Sequence, residues 1–391
     1  GKTVYFVATN ANYAPAFGNA KIAITPRDLT VNTDSAARTY SGTPLTAAGW
    51  NLDPAKDGFV SSDGFATAAT NGSVTNVGTA DNGFAYTLKS GTSAADYTID
   101  IVPGTLEVTP RLVLIAATDT HKNFGSADPV FGYTILTGTI GGTTYEPILA
   151  ADLAGVTVKV NRTGSDSAVG TYPGVLVPDV TATAAVRGNY SFAVQNGSLT
   201  INPQVTYNLN TTDTVTGFPQ TQWFPLGSDA TVANADGVKR PGYRLTGWED
   251  ATTGALVTLG GTISVISENH SLNAVWEIAL YDVIYDADTI KPVDYMPANE
   301  TGKTYNTPLT VATQEPYLSG YGFLYWKTTG IDGTEMHFGP NDAFNMPDND
   351  LVLKAVWEPR TSPIYYHANG GTGGTVEGAR VFTDAIATVS G

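Results

Sequence analysis

The chain repeats itself, and this constrains its fold more than any other feature. One ending occurs three times. Asn12-Tyr13 leads to Lys21-Ile-Ala-Ile-Thr-Pro26-Arg27, Asp96-Tyr97 to Thr105-Leu-Glu-Val-Thr-Pro110-Arg111, and Asn189-Tyr190 to Ser198-Leu-Thr-Ile-Asn-Pro203-Gln204. In each, a turn-forming Asn or Asp precedes a Tyr, and an alternating strand follows until Pro, which has no N–H for the ladder, stops it. From Tyr13 to Tyr97 is 84 residues and from Tyr97 to Tyr190 is 93. Regular self-similarity at this scale means one small module per period.

Past Gln204 a second pattern takes over. Gly242-Tyr243-Arg-Leu-Thr-Gly-Trp248 returns as Gly320-Tyr321-Gly-Phe-Leu-Tyr-Trp326, and Asn273-Ala-Val-Trp276-Glu277 as Lys354-Ala-Val-Trp357-Glu358. Openings at Val205-Thr-Tyr207, Val283-Ile-Tyr285 and Ile364-Tyr-Tyr366 keep the same spacing, 78 and then 81 residues. The four Trp are expected in the cores, because an aromatic supplies much of the buried area of a small domain.

Thr, Val and Tyr are abundant, Gly numbers 42 and Pro 22, and only 14% of residues are charged. Such a composition favours pleated strands and frequent turns over helix. A mainly β fold follows, an elongated tandem array of small all-β modules. The net charge of −16 argues against nucleic acid and anionic lipid as partners. With no Cys, disulfides, thiolate metal sites and Cys nucleophiles are excluded. No run of 18 apolar residues marks a membrane span, and the chain reads as an excerpt that starts and stops inside repeats.

Residues 204–391 resemble the internalin-type B repeat (Listeria–Bacteroides repeat), through the Gly-Tyr-x-Leu/Phe-x-x-Trp strand, the Ala-x-Trp close and the turn Tyr366-His-Ala-Asn-Gly-Gly371. Asn345-Met-Pro347 resembles that family's Met-Pro turn, and Ser267-Glu-Asn-His270 departs from it. Residues 1–203 resemble MBG-type repeats, on the Asn/Asp-Tyr…Thr-Pro-Arg ending and on Thr39-Tyr-Ser-Gly-Thr-Pro-Leu45. The resemblances imply β-grasp-like modules in the C-terminal part and compact sandwich-like or grasp-like modules before it. They divide the chain at 1–26 (end of a truncated MBG-type repeat), 27–110 and 111–203 (MBG-type), 204–279 and 280–360 (B repeats) and 361–391 (truncated B repeat). They also imply a large bacterial surface protein, extracellular or wall-bound.

Few residues offer chemistry. His121, His270, His337 and His367 are dispersed, with no His-x-x-x-His spacing, and read as surface turn residues. Asp286-Ala-Asp288 and Asp348-Asn-Asp350 have the Asp-x-Asp spacing of calcium loops but no Gly at position six or Glu at twelve, so turn formation explains them better. Gly370-Gly-Thr-Gly-Gly374 lacks the Lys-Ser/Thr of a phosphate loop and reads as a hairpin turn. Lys21, Lys159 and Lys354 lie in strand-like patterns, which permits isopeptide crosslinks but fits solvent-facing Lys better. The expectation is therefore a non-catalytic stalk or spacer segment of a cell-surface adhesin, with no catalytic, cofactor or metal residue. Host or neighbouring-cell glycan or protein, and self-association along the array, are the expected partners. The alternative is a binding module that uses exposed aromatics, with Tyr281, Tyr295, Tyr317 and Tyr325 as the candidate cluster.

Overall fold

A computed structural model describes residues 2–330, 332–365 and 378–386. The fold is all-β: the described residues contain many short strands, one four-residue helix (Ala184–Arg187) and two single 3-10 turns. The chain divides into two compact units, Gly1–Ile201 and Asn202–Gly391.

The first unit opens with a hairpin, Lys2–Asn10 against Tyr13–Ile22, almost wholly exposed. Beyond it, two segments use one plan. The strand after each Pro-Arg junction pairs in parallel with the strand that starts at the repeated Tyr: Arg27–Thr33 with Tyr97–Val102, and Arg111–Ala117 with Tyr190–Gln195. Arg stands opposite Tyr in both. An antiparallel edge strand, Trp50–Leu52 or Tyr133–Leu136, completes each sheet. The strand that ends each repeat belongs to a second sheet. Gly104–Thr109 lies between Ala36–Thr39 and Gly78–Asn82, and Gly197–Asn202 between Thr120–Asn123 and Gly170–Ala182.

The apolar core does not stop at Pro110. Tyr40, Leu45, Leu106 and Val108 come from before it, Val113, Ile115, Ile148, Val186 and Tyr190 from after it, and all nine form one buried cluster. Because the strand Gly104–Thr109 runs directly into Arg111–Ala117, the inward residues of both strands reach a common interior. A separate set of rings (Trp50, Phe59, Phe65, Phe84, Tyr86, Tyr97) fills the earlier segment, with centroids 4.8–6.0 Å apart.

The second unit holds two five-stranded sheets of identical order. In the first, the central parallel pair is Gln204–Asn208 on His270–Ile278, with Tyr243–Asp250 beyond it and Gln222–Trp223 and Leu256–Thr258 at the edges. In the second, Leu280–Asp286 lies on Leu351–Pro359, with Tyr321–Thr329 beyond and Glu300–Thr304 and Glu335–Phe338 outside. Tyr207 faces Leu272 and Tyr285 faces Leu353. The Gly-Tyr strand bulges between Leu245 and Gly247 in one copy and between Phe323 and Tyr325 in the other. Without the extra residue, Leu245 and Trp248 would point to opposite faces; the bulge turns both inward, and both are buried.

Of the four tryptophans that recur in the second unit's repeats, Trp248 and Trp326 are fully buried. Trp276 and Trp357 are half-buried, and their indole N–H groups reach the Leu209 and Ala287 carbonyls, each at 2.8 Å. The two central indoles differ in one respect. Trp248 Nε1 donates to the Ala233 carbonyl at 2.7 Å, whereas buried Trp326 Nε1 has no partner. Replacing Trp248 by Phe removes the shorter of two hydrogen bonds to the half-buried Ala233 carbonyl, which keeps only the Gly260 N–H at 3.3 Å, whereas Trp326→Phe removes an unmatched donor. Trp248→Phe is therefore expected to cost its sheet about 1–2 kcal/mol more than Trp326→Phe costs the other. Amide exchange of His270–Ile278 and Leu351–Pro359 in the full chain reads this, and equal losses would contradict it.

Candidate functional site

The residues that recur in the same geometry lie at the joints between repeats. In the first unit, the repeated Tyr is the centre. Tyr97 donates to Asp63 Oδ2 at 2.5 Å and accepts the Val60 N–H at 3.3 Å; Tyr190 donates to Asp152 Oδ2 at 2.7 Å and accepts the Leu149 N–H at 3.1 Å. The repeated Arg locks the same loop, Arg27 Nε to the Gly58 carbonyl and Arg111 Nε to the Pro147 carbonyl, at 3.0 and 2.7 Å. Val60-Ser-Ser-Asp63 and Leu149-Ala-Ala-Asp152 are thus one motif, an apolar residue and an Asp with two small residues between them.

At Tyr190 the earlier segment completes the site. The Tyr40 ring meets the Tyr190 ring edge-on at 5.6 Å, Arg111 Nη1 donates to the Tyr40 carbonyl at 3.1 Å, and Asn189 Oδ1 accepts the Val77 N–H at 2.9 Å. Gly42, at φ +73°, brings the Tyr40–Leu45 turn onto Leu149, so close that a β-carbon there would lie 3.3 Å from Leu149 Cδ1. Burial, followed by the hydrogen bond to Asp152, pushes the Tyr190 hydroxyl up to about 12 from its ordinary 10. Tyr40 also moves up, through burial and then the Asp152 charge.

In the second unit the joint uses glycine. Gly242 and Gly320 sit at φ +77° and +83°, and their carbonyls accept the N–H groups of Ala279 (2.9 Å) and Arg360 (2.8 Å). A β-carbon on Gly242 would lie 2.9 Å from Tyr305 Cβ, and one on Gly320 would lie 2.4 Å from Thr383 Cγ2. Tyr305 and Thr383 hold corresponding places, each just after the second strand of the following copy. Asp348 fastens the first of these joints, accepting from Gly242 N (2.7 Å) and from the Tyr281 hydroxyl (2.6 Å). At the second, Thr383 Oγ1 donates to the Gly320 carbonyl at 2.7 Å, and Asp384 meets both Lys291 and the Tyr321 hydroxyl.

The chemistry candidates are absorbed into this framework. Asp350 accepts the Asp282 N–H at 2.9 Å, as Asn269 accepts that of Gln204 at 3.0 Å; its carboxylate pins a first strand. Asp286 caps the Asp288 N–H, and Lys354 sits 3.0 Å from Asp288 and 3.8 Å from Asp286, placing an ammonium where a cation would bind. Lys21, Lys159 and Lys354 are all exposed. Among the described residues no group of three or more His, Asp or Glu is arranged to hold a metal ion.

The described histidines lie in strands, which corrects the reading of them as turn residues: His121 in Thr120–Asn123, His270 in His270–Ile278 and His337 in Glu335–Phe338. His337 stacks on Tyr325 at 4.3 Å and contacts Glu335. His270 Nδ1 lies 2.6 Å from Oδ2 of buried Asp250. Burial is the largest influence on that carboxyl and raises it, but the hydrogen bonds from His270, Thr253 and Thr252 outweigh burial and bring it down to about 2. His367, the turn from Tyr366 to Gly371 and Gly370–Gly374 fall outside the described residues. The four tyrosines serve different ends. Tyr281 and Tyr325 are engaged internally as above, whereas Tyr295 and Tyr317 are exposed beside a backbone bridge from Asp294 to Tyr317.

This geometry can be set against known proteins. The segment built around Tyr190, residues 113–200, matches one known domain family. It is an MBG domain of the YGX type. That MBG domain includes the parallel pair, the Leu149–Asp152 loop and the Tyr190 hydrogen bonds. The chain is also 29% identical over 165 residues (39% of its length, 18% of the relative's) to a protein of Evansella cellulosilytica provisionally named a Gly-rich membrane protein. A second protein of that organism, provisionally named a membrane protein, is 38% identical over 101 residues (26% of this chain, 15% of the relative). The chain thus spans less than a fifth of either relative. No solved structure matches it significantly. Among the described residues no helix is long and apolar enough to cross a membrane.

Two outcomes follow from these joints. Tyr190 has a raised hydroxyl, so the stability it contributes is complete below pH 10 and is lost as pH rises through about 12. Tyr190→Phe in the MBG domain should lower stability at neutral pH and flatten the decline over that alkaline range, measured by chemical unfolding at stepped pH. Gly320→Ala forces a left-handed alanine against Thr383 and should cost at least 1–2 kcal/mol locally. Faster exchange of the Arg360 amide would report it, and unchanged exchange would mean the joint tolerates a side chain.

Proposed function

We propose that this chain is a non-catalytic spacer segment of a bacterial surface protein, made of MBG-type modules up to about residue 203 and internalin-type B repeats after it. The observation that carries this reading is the recurrence of the joints. At Gly242 and again at Gly320, a glycine with no room for a side chain seats the following copy. An array of this kind adds length by adding copies, since each contacts only its neighbours.

Three further points support it. The MBG domain at 113–200 belongs to a module type resembled by the segment at 27–110, which has the same Arg–Tyr register and the same Tyr–Asp bond. The relatives named as membrane proteins are bacterial and far longer than the matched region, which suits a repeat region of a large envelope protein. In the second unit, the Gly-Tyr-x-Leu/Phe-x-x-Trp strand, its bulge and its half-buried closing Trp recur together, which supports the B-repeat reading. Among the described residues, the histidines, carboxylates and lysines singled out by the sequence are engaged in structural bonds or exposed, which supports a passive role.

The test is hydrodynamic. About five modules in line reach roughly 150 Å, which gives a radius of gyration near 40 Å, against about 21 Å for one globule of this length. Small-angle scattering of the chain should return the larger value. The compact value would refute the spacer reading.

A further inference from the structure

We infer that the face of segment 27–110 around Val60 and Tyr97 is a socket for another MBG-type module, entered by a turn of the Tyr40–Leu45 kind. The inference rests on the reading of the chain as a module array and names the partner of one of its faces.

The case is a comparison within the first unit. In the MBG domain, Leu149, Asp152, Asn189, Tyr190 and Arg111 form a surface that the preceding segment covers with its Tyr40–Leu45 turn and with Leu106 and Val108. The counterparts in segment 27–110 are Val60, Asp63, Asp96, Tyr97 and Arg27, held by the same Tyr–Asp and Arg–carbonyl bonds. Here the surface is open. Val60, in the place of half-buried Leu149, is 43% exposed, and it lines a cavity of about 430 Å³ with Asp63, Asp96, Tyr97 and Arg27.

The cavity is also lined by Ile24, which is 93% exposed. Counted back from the Pro of the repeated ending, Ile24 stands where Val108 does, and Val108 is buried in the shared core. The counterpart of one covering residue therefore already lies beside the socket, just past the end of the strand Tyr13–Ile22. This exposed isoleucine lacks the aromatic turn that Tyr40 and Leu45 supply at the other joint. An apolar floor, a Tyr hydroxyl fixed by Asp63 and a cationic rim at Arg27 suit such a turn, whose backbone carbonyl would take the place at Arg27 that the Tyr40 carbonyl has at Arg111.

The chain has no Cys, so one introduced thiol reports cleanly. Val60→Cys changes an exposed residue, and its rate of maleimide alkylation is measured in the chain as it stands. It is measured again after residues 1–26 are replaced by a second copy of residues 27–110 with residue 60 of that copy left as Val, so that Pro110 runs into Arg27 as it runs into Arg111. The added module should slow alkylation at least tenfold. Tyr40→Ala with Leu45→Ala in the added copy should restore the fast rate. Leu149→Cys in the original chain, already covered, gives the slow reference. An unchanged alkylation rate of the Val60→Cys thiol overturns the assignment. So does slowing in the unextended chain as its concentration rises, because the occupant would then be a second molecule. Scattering and alkylation report separately: a rod with an unprotected thiol leaves the spacer reading standing and removes only the socket.

Discussion

Everything described depends on one kind of pairing, the parallel ladder between the first strand of a copy and a strand some 70 residues later. Arg27 meets Tyr97, Arg111 meets Tyr190, Val205 meets His270 and Val283 meets Leu351. A parallel pair cannot be closed by a tight turn and needs a long crossover. The intervening residues must therefore leave the sheet and return, and in doing so they build the remaining strands and loops. The Tyr hydroxyls of the first unit then tie those loops back onto the ladder. In the second unit Tyr207 and Tyr285 do the same, accepting the Ala233 and Ala312 N–H groups, each at 2.8 Å.

Because a copy closes on itself only late in its sequence, its neighbours help to hold it. The MBG domain shares its core with the strand before it, and Asp348 of one copy in the second unit bonds to Gly242 of the copy before. These contacts are short and polar at the rim and apolar inside, and they place several groups in low dielectric. At Tyr190 burial and the hydrogen bond to Asp152 push the hydroxyl the same way, up, whereas at Asp250, within one copy, hydrogen bonds outweigh burial and bring the carboxyl down.

The sequence made the repeats, the strand character and the two central tryptophans legible because each depends on local pattern or aromatic bulk. It hid whatever depends on register. Leu245 and Trp248 are three apart, which alternation assigns to opposite faces; the bulge that reconciles them has no residue signature of its own. Pro110 reads as a boundary, yet the core passes through it, since Pro ends a ladder without ending an apolar face. The Met-Pro turn and its departure at Ser267 look dissimilar, but Met346 and Ile266 both bury an apolar side chain there. Of the joint, the Tyr and Arg landmarks were visible. Asp63 and Asp152 were findable only by aligning Val60-Ser-Ser-Asp63 with Leu149-Ala-Ala-Asp152, and Gly242 and Gly320 were visible as motif letters without their reason.

The central parallel pair also decides how a copy meets tension. In the second unit, the first and last strands of the opening sheet, Gln204–Asn208 and His270–Ile278, lie side by side and run the same way. A pull on the chain at either end of that copy enters at the start of one strand and leaves at the end of the other. The load then acts along the ladder and shears it, so its hydrogen bonds resist together instead of opening one at a time. The same arrangement recurs at Leu280–Asp286 and Leu351–Pro359, so a pull along the chain meets two clamps of similar build.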